Sequence, residues 1–161
     1  MTEVTAPALA GHPFLRGMPP GQLDALAAAA SDVTFPAGHR VFDGHRVFEE
    51  GGFAGKFWLI QSGHVALDVH VPGSGRVIID SIGIGDLLGC SWLFPPYRWA
   101  FGAACITAVR AFEFDAAAIR ERCAGDPEFG AEFRERLLRV LARRLQGTMT
   151  RLIAGSMSDG A

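Results

Sequence analysis

The segment Gly85–Ala100 has residue types that are suited to binding an anion. It reads G-D-L-L-G-C-S-W-L-F-P-P-Y-R-W-A: Gly85 and Asp86 precede a short apolar stretch, a double proline ends it, and Arg98 follows. A helix that begins after a glycine presents unpaired N–H groups and its positive end to an anion. An arginine fork adds charge-assisted hydrogen bonds. We therefore predict that this 85–100 segment forms a short helix after Gly85 and cradles an anion, with Arg98 as the main ligand.

Two other patterns could carry chemistry, and we predict no function for either. Gly89-Cys90-Ser91 is similar to the start of a nucleophile elbow, but Leu93 stands where that motif needs a second glycine, so no catalytic residue is predicted. His64 and His70 could share one face of a strand, yet no carboxylate or thiol accompanies them at metal-ligand spacing. We predict solvent-facing histidines, no metal site and no enzyme.

Composition suits one cytoplasmic domain over residues 1–161. The chain is 49% hydrophobic and 20% charged, which is typical of a globular protein. A net charge of −2 argues against nucleic-acid binding, because duplex affinity depends on neutralising many phosphates. The sequence shows neither a signal peptide nor a membrane-spanning run. Cys90, Cys105 and Cys123 lack C-x-x-C spacing and are expected to be reduced thiols rather than disulfides or cluster ligands.

The middle of the chain has the pattern of short antiparallel strands. A short helix is predicted at Gln22–Ala30, and a period of two starts at Val33. Val65, Leu67, Val69 and Val71 alternate with more polar residues, as in a strand with one wet face. Turn signals recur up to Phe114. The predicted fold is α+β: an antiparallel jelly-roll barrel over about 33–114 with C-terminal helices over about 115–153.

The first strand region contains a direct repeat. Gly38-His39-Arg40-Val41-Phe42 recurs as Gly44-His45-Arg46-Val47-Phe48, with Asp43 between the copies. An insertion of even length keeps each side chain on its face, so either copy could fill the strand. Asp43-Gly44 could instead turn a tight hairpin between the copies. The sequence leaves this choice open.

The last predicted helix, about Pro127 to Ile153, has two apolar faces. Phe129, Phe133, Leu137 and Val140 form one face. The second has the alternating three and four spacing of a coiled-coil seam and consists of Leu138, Leu141, Leu145, Thr148 and Leu152. Either both faces pack on the barrel, or the second joins two copies of the chain. A domain this small seldom needs two apolar faces on one helix, so we predict a homodimer through the second face.

These features together resemble the cyclic nucleotide-binding domains of the catabolite activator protein family and its eukaryotic kinase-subunit and channel relatives. The resemblance covers most of the chain, from His12-Pro13-Phe14-Leu15 through Phe35-Pro36-Ala37-Gly38 and Phe57–Gly63 to the 85–100 segment. The family's phosphate-binding cassette has Gly-Glu, a short apolar helix and then Arg-Ser/Thr-Ala. Gly85-Asp86-Leu87-Leu88 and Arg98-Trp99-Ala100 are matched to those positions.

The resemblance implies a role for each matched residue. Arg98 and the Gly85–Leu88 turn would hold the phosphate of a cyclic nucleotide such as cAMP or cGMP, and Asp86 would reach the ribose. Thr148 matches the threonine that meets the base in relatives, and the chain stops about where relatives pass into a winged-helix domain. Trp99 stands where the family has a small hydroxyl residue. Its ring could stack on a base or could fill the cavity and exclude ligand.

The expected function is that of a non-enzymatic regulatory sensor that binds a cyclic nucleotide and signals through its last helix. No cofactor other than this ligand is predicted. Two alternatives stay open at this stage. One is a ligand-free barrel that serves dimerisation or partner docking, and the other is the sensor half of a longer transcription regulator.

Overall fold

The computed structural model describes residues 2–42 and 52–159, which form two compact units. The first unit is Met1–Arg122 and the second is Cys123–Ala161. The boundary falls inside one helix, α3, which spans Ala116–Gly125. The second copy of the repeat, the linking Asp43 and the hairpin considered for Asp43-Gly44 lie outside the described residues.

The first unit begins with short helices. β1 (Thr2–Glu3) leads to α1 (Ala6–Ala10), a 3-10 helix at Pro13–Leu15 and α2 (Pro20–Ala28). Thr5 caps α1, because its hydroxyl accepts a hydrogen bond from the N–H of Ala8 at 3.3 Å. The helix predicted at Gln22–Ala30 is present, but it ends at Ala28.

Two antiparallel sheets follow. In the first sheet the order is β1, β2 (Ala30–Phe35), β9 (Val109–Asp115), β4 (Lys56–Ser62) and β7 (Leu87–Leu88). In the second it is β3 (Arg40–Phe42), β8 (Gly102–Cys105), β5 (Val65–Val71) and β6 (Gly75–Ile82). All the strand pairs are antiparallel, which confirms the predicted fold class.

Strand β2 starts three residues earlier than its sequence pattern indicates. Ala30 pairs with Phe114 and Asp32 pairs with Phe112, so the residues expected to end the helix belong to the sheet. Asp32 also accepts two hydrogen bonds from Arg110 on β9, at 3.1 and 2.6 Å. Cross-strand pairing therefore outweighs the low strand propensity of Asp.

The prediction that β5 has one wet face is wrong. Val65 and Ala66 are both buried, and Asp68 is buried whereas Leu67 is half-buried. A register shift between Leu67 and Asp68 breaks the alternation. Asp68 then meets Arg40 on β3 in a bidentate pair, with N–O distances of 3.1 and 2.7 Å. The first copy of the repeat thus supplies β3.

The second unit consists mainly of α4 (Pro127–Asp159), which is six residues longer at its end than predicted. Asp126 caps it by accepting from the N–H of Phe129 at 3.1 Å. Two ion pairs at i, i+4 spacing lie on this helix, Glu132 with Arg136 at 2.7 Å and Glu135 with Arg139 at 2.9 Å. The first predicted apolar face is buried: Phe129, Phe133, Leu137 and Val140.

Candidate functional site

The first part of the 85–100 segment is a turn and a strand, so the prediction that a helix follows Gly85 is wrong. The N–H of Gly85 donates to the carbonyl of Ile60 at 3.1 Å, and the N–H of Asp86 donates to Gly83 at 3.1 Å. The Asp86 carboxylate accepts from the N–H of Gly83 at 3.0 Å. Leu87 and Leu88 are buried and pair with β4. The N–H groups of Gly85 and Asp86 already have partners in this conformation and do not face an anion.

The helical part of the segment begins later, at Ser91. Gly89 has a positive φ of 97° and precedes a 3-10 helix at Ser91–Leu93. The indole of Trp92 is fully buried, donates to the carbonyl of Gly89 at 2.9 Å and stacks on Phe57 at 4.5 Å between ring centroids. Trp92 therefore anchors this turn in the core.

The returning part of the segment is held by backbone hydrogen bonds. The Pro95–Pro96 bond is cis, and Tyr97 has a φ of 56°, which is uncommon for a residue other than glycine. The carbonyl of Tyr97 accepts from the N–H of Ala54 at 2.6 Å, and the N–H of Trp99 donates to Gly52 at 2.9 Å. Ala100, which is half-buried, donates to the hydroxyl of Ser91 at 3.3 Å. This ladder fixes the direction in which residues 98 and 99 point.

Trp99 points into the protein and is only 5% exposed. Its ring stacks on Phe42 with centroids 3.8 Å apart and lies 6.1 Å from the ring of Trp58. A Cβ added at Gly89 would lie 3.0 Å from two ring atoms of Trp99, so glycine is needed for this close approach. The indole thus occupies the space beside the turn at Gly89.

Arg98 is exposed, and the residues lining the neighbouring cleft do not include it. Neighbouring residues in an extended chain point to opposite sides, which explains why Arg98 faces outward where Trp99 faces inward. Arg98 forms an isolated β-bridge with Phe53. Within residues 2–42 and 52–159 its guanidinium has no ion pair, so its charge is available to a ligand.

A cleft of about 370 Å³ lies beside this bridge. Its size is within the range of small-molecule sites, and most of its walls are aromatic. The lining residues are Phe35, Val41, Phe42, Phe53, Gly55, Lys56, Trp58, Trp99 and Glu113. Phe53 and Trp99 both line it and both adjoin Arg98, one across the bridge and one along the chain. Arg98 therefore stands at the side of an aromatic cleft.

Glu113 is the polar group that organises the cleft wall. One carboxylate oxygen accepts from Lys56 Nζ at 2.8 Å, and the other accepts from Trp58 Nε1 at 2.9 Å. All three residues lie on adjacent strands, because Trp58 pairs with Glu113 in the register of β4 and β9. The contact orients the Trp58 ring that forms part of the aromatic wall.

His12 connects the N-terminal helices to the base of the 85–100 segment. Its Nε2 lies 2.9 Å from the carbonyl of Ile60, which also accepts from Gly85, and its Nδ1 accepts from the N–H of Phe14 at 3.1 Å. The ring therefore carries its proton on Nε2. Burial lowers the pKa of His12, although the bond to Ile60 and the charge of Asp86 both act to raise that pKa.

Thr148 belongs to the second unit and is exposed on α4. Its hydroxyl accepts from an Arg151 nitrogen at 3.2 Å. The other predicted site residues, in the 85–100 segment, all lie in the first unit. The contact of Thr148 with a base stays a prediction.

Sequence reasoning missed most of the cleft. Phe42, Trp58, Lys56 and Glu113 come from three strands and share no local motif, so only the pairing of those strands brings them together. The apolar run Phe57-Trp58-Leu59-Ile60 is a local signal of a buried strand, but it does not show that Trp58 lines a cleft.

Burial raises the pKa of the Cys105 and Cys123 thiols. No disulfide links Cys90, Cys105 and Cys123. In the described ranges no group of three or more His, Cys, Asp or Glu side chains could hold a metal ion. A search of the same ranges finds no helix with the length and apolar character to cross a bilayer.

Comparisons with known proteins agree with this fold. A CRP-like cAMP-activated global transcriptional regulator of Mycobacterium tuberculosis is 34% identical over 144 residues, which cover 89% of this chain and 60% of that protein. The chain thus spans about 60% of the length of this relative. Two crystal structures share the fold at lower identity. A cyclic nucleotide-binding domain from Methylobacillus flagellatus has a TM-score of 0.73 at 17% identity, over 86% of this chain and 74% of that one.

The second structure is the Thermus thermophilus catabolite activator protein, with a TM-score of 0.66 at 20% identity, over 89% of this chain and 63% of that one. The family model described as the cyclic nucleotide-binding domain matches residues 39–126, more than half of the chain. This match confirms the resemblance seen in the sequence: the chain belongs to the cyclic nucleotide-binding domain family.

Proposed function

We propose that this chain is a regulatory sensor domain that binds a cyclic nucleotide, cAMP or cGMP, without catalysing a reaction. The ring system of the ligand lies against the aromatic cleft, and Arg98 binds its phosphate. The observation that carries the proposal is the position of an exposed arginine with no described ion pair beside an aromatic cleft of suitable size. Gly85–Leu88 anchor the start of the segment to β4. Asp86 and Thr148 are further candidate contacts to ribose and base.

The chemistry of the cleft suits such a ligand. Flat bases stack favourably on aromatic side chains, and a guanidinium fork matches phosphate oxygens. A charge-assisted hydrogen bond contributes on the order of 1.5–3 kcal/mol net, so Arg98 is expected to supply much of the affinity. The names of the relatives point the same way, since one is described as cAMP-activated.

Calorimetric titration with cAMP and cGMP tests the proposal. The parent is expected to bind one of them, and Arg98→Ala is expected to weaken binding about tenfold to a hundredfold. Arg110→Ala is the matched control, because it removes another exposed arginine of the same unit. An absence of heat at millimolar ligand would contradict the sensor function, and unchanged affinity in Arg98→Ala would contradict the assignment of the phosphate site.

We also propose that the sensor works as a cytoplasmic homodimer through the second apolar face of α4. Leu138, Leu145 and Leu152 are 64%, 61% and 69% exposed within one chain, and Leu141 is half-buried. Their spacing suits a coiled-coil seam. A ligand that favours one packing of this helix over another would then signal by shifting the population of the two.

A second function is favoured by the position of Trp99. Its ring already fills the space beside Gly89 and stacks on Phe42, which is the arrangement expected of a barrel that has lost its ligand and serves partner docking or dimerisation. Trp99→Ser separates the two functions. If the parent binds no nucleotide and the variant does, the ligand-free function is supported; if the parent binds, it is contradicted.

A further inference from the structure

Arg120 on α3 makes two contacts with the 85–100 segment, one on each side of its double proline. The Nη1 atom donates to the carbonyl of Trp92 at 2.6 Å. The guanidinium carbon also lies 4.3 Å from the centroid of the Tyr97 ring. Trp92 lies in the outgoing half of the segment and Tyr97 begins the returning half, so one side chain contacts both halves.

The contact with Tyr97 bears on a residue in an uncommon backbone conformation. Tyr97 has a φ of 56°, which bulky residues seldom adopt and which persists only where surrounding contacts hold it. A cation over an aromatic face is attractive, and the effect grows as water is excluded. Arg120 is half-buried, so its contact helps to hold Tyr97 in this conformation.

The conformation at Tyr97 determines how the next two residues are presented. Because an extended chain alternates its sides, Trp99 enters the cleft only while Arg98 faces outward beside Phe53. A change at Tyr97 would rotate both side chains together. Arg120 does not line the cleft, but it contacts Tyr97.

We propose that Arg120 is a positioning residue: through Trp92 and Tyr97 it holds the 85–100 segment with Trp99 in the cleft and Arg98 at its side. It thereby couples the conformation of the segment to α3. Its effect on ligand affinity rests on the function proposed above, whereas its effect on the segment does not. A held segment binds with less loss of freedom, so Arg120 favours binding by Arg98.

Hydrogen exchange in the ligand-free protein tests the positioning role directly. Arg120→Ala is expected to speed exchange across residues 89–100 at least about tenfold, because a charge-assisted bond and a ring contact are lost together. Arg120→Lys keeps the positive charge but lacks the planar guanidinium, so it should give a smaller increase in the exchange rate. Glu121→Ala, an exposed neighbour on the same helix, is the control and should leave exchange in the segment unchanged. Equal exchange in Arg120→Ala and the parent would overturn the proposal.

A double-mutant cycle shows whether Tyr97 is the residue through which Arg120 acts. Tyr97→Ala and Arg120→Ala remove the same ring contact, so their effects on exchange should be less than additive. Tyr97→Phe keeps the ring and should behave as the parent. Strict additivity would overturn the role of Tyr97.

The same variants are then titrated with cAMP. If the parent binds, Arg120→Ala should weaken binding about tenfold while Glu121→Ala does not, and equal affinities would overturn the effect on binding. If the parent shows no heat of binding, cAMP is contradicted as the ligand. The exchange experiment alone then decides whether Arg120 positions the segment.

Discussion

Arg98 and Trp99 are neighbours in the chain, and their side chains lie on opposite sides of it. Trp99 is buried against Phe42, and Arg98 is exposed at the side of the cleft. Their roles therefore differ: the arginine can attract an anion from solvent, while the indole determines how much of the cleft is open. At the scale of single residues, two further side chains, Arg40 and His12, are held in buried contacts that can be tested by substitution.

Arg40→Ala is expected to destabilise the protein by about 2–4 kcal/mol. Asp68 is only 6% exposed, and removing its partner leaves a buried carboxylate without its cation. Urea unfolding measures the change. Arg46→Ala, at the equivalent position of the second copy of the repeat, is the matched control and should cost less than about 1 kcal/mol. A larger loss in Arg46→Ala than in Arg40→Ala would show that the second copy provides the strand.

His12 should make the free energy of unfolding depend on pH. Burial keeps its pKa in the folded protein below its ordinary value, so the unfolded chain binds the proton more readily. The contribution of neutral His12 is complete above about pH 6.5 and is lost as the pH falls below that value toward the pKa of the folded state.

Urea unfolding at about pH 7.5 and about pH 5.5 measures this dependence. His12→Asn, which keeps an acceptor for the N–H of Phe14, should show a smaller loss of stability at the lower pH than the parent. Identical pH dependence in the parent and in His12→Asn would rule out this role.

At the scale of elements, the 85–100 segment shows how pairing with a neighbour determines secondary structure. Leu87 and Leu88 pair with β4 and are buried in the first sheet, whereas an isolated apolar stretch after Gly-Asp could equally begin a helix. Helix α4 is the opposite case, because its apolar residues repeat at regular helical spacing over a long stretch of sequence. Its first face was predicted residue by residue, and its second face is exposed within one chain.

Leu145→Glu combined with Leu152→Glu is expected to convert a dimer into a monomer. Both side chains are exposed on α4, and two carboxylates placed in an apolar seam would repel each other and stay hydrated. Sedimentation velocity gives the mass directly. Arg143→Glu, also exposed on α4, should remain dimeric. A monomeric parent would contradict the proposed seam.

At the scale of the whole molecule, the chain consists of a β unit with N-terminal helices and a unit dominated by α4. The antiparallel sheets and nearly all of the family match, residues 39–126, lie in the β unit. The second copy of the repeat falls between β3 and β4 in the sequence, and both strands are present.

Deleting residues 43–48 should leave the fold intact. Removing either copy of the repeat yields the same sequence, and the remaining copy supplies β3. Closing a shorter connection between two strands costs less conformational entropy. The free energy of unfolding should therefore be equal to that of the parent or higher by up to about 0.6 kcal/mol. Thermal unfolding followed by circular dichroism is sufficient to test this. A drop of more than about 1 kcal/mol would mean that the extra residues make stabilising contacts of their own.

The sequence alone determined the class of fold, the family and the chemistry that Arg98 can offer. The fold class follows from periodicity and the chemistry of Arg98 from its residue type, which are local properties of the chain, and the family follows from the motifs that resemble it. Asp115 and Asp126 directly precede or begin helical turns and accept capping hydrogen bonds, which depend on equally local residue types. The repeat can also be identified from the sequence, but which of its copies forms β3 cannot.

Only the tertiary structure decided where those residues face and which distant ones join them. Leu87 and Leu88 became a strand because β4 pairs with them, and Asp68 became buried because Arg40 reaches it from β3. The aromatic cleft draws its walls from strands far apart in sequence, and Trp99 enters it because the chain around Tyr97 turns that way. Each of these outcomes depends on contacts between segments, which no local pattern encodes.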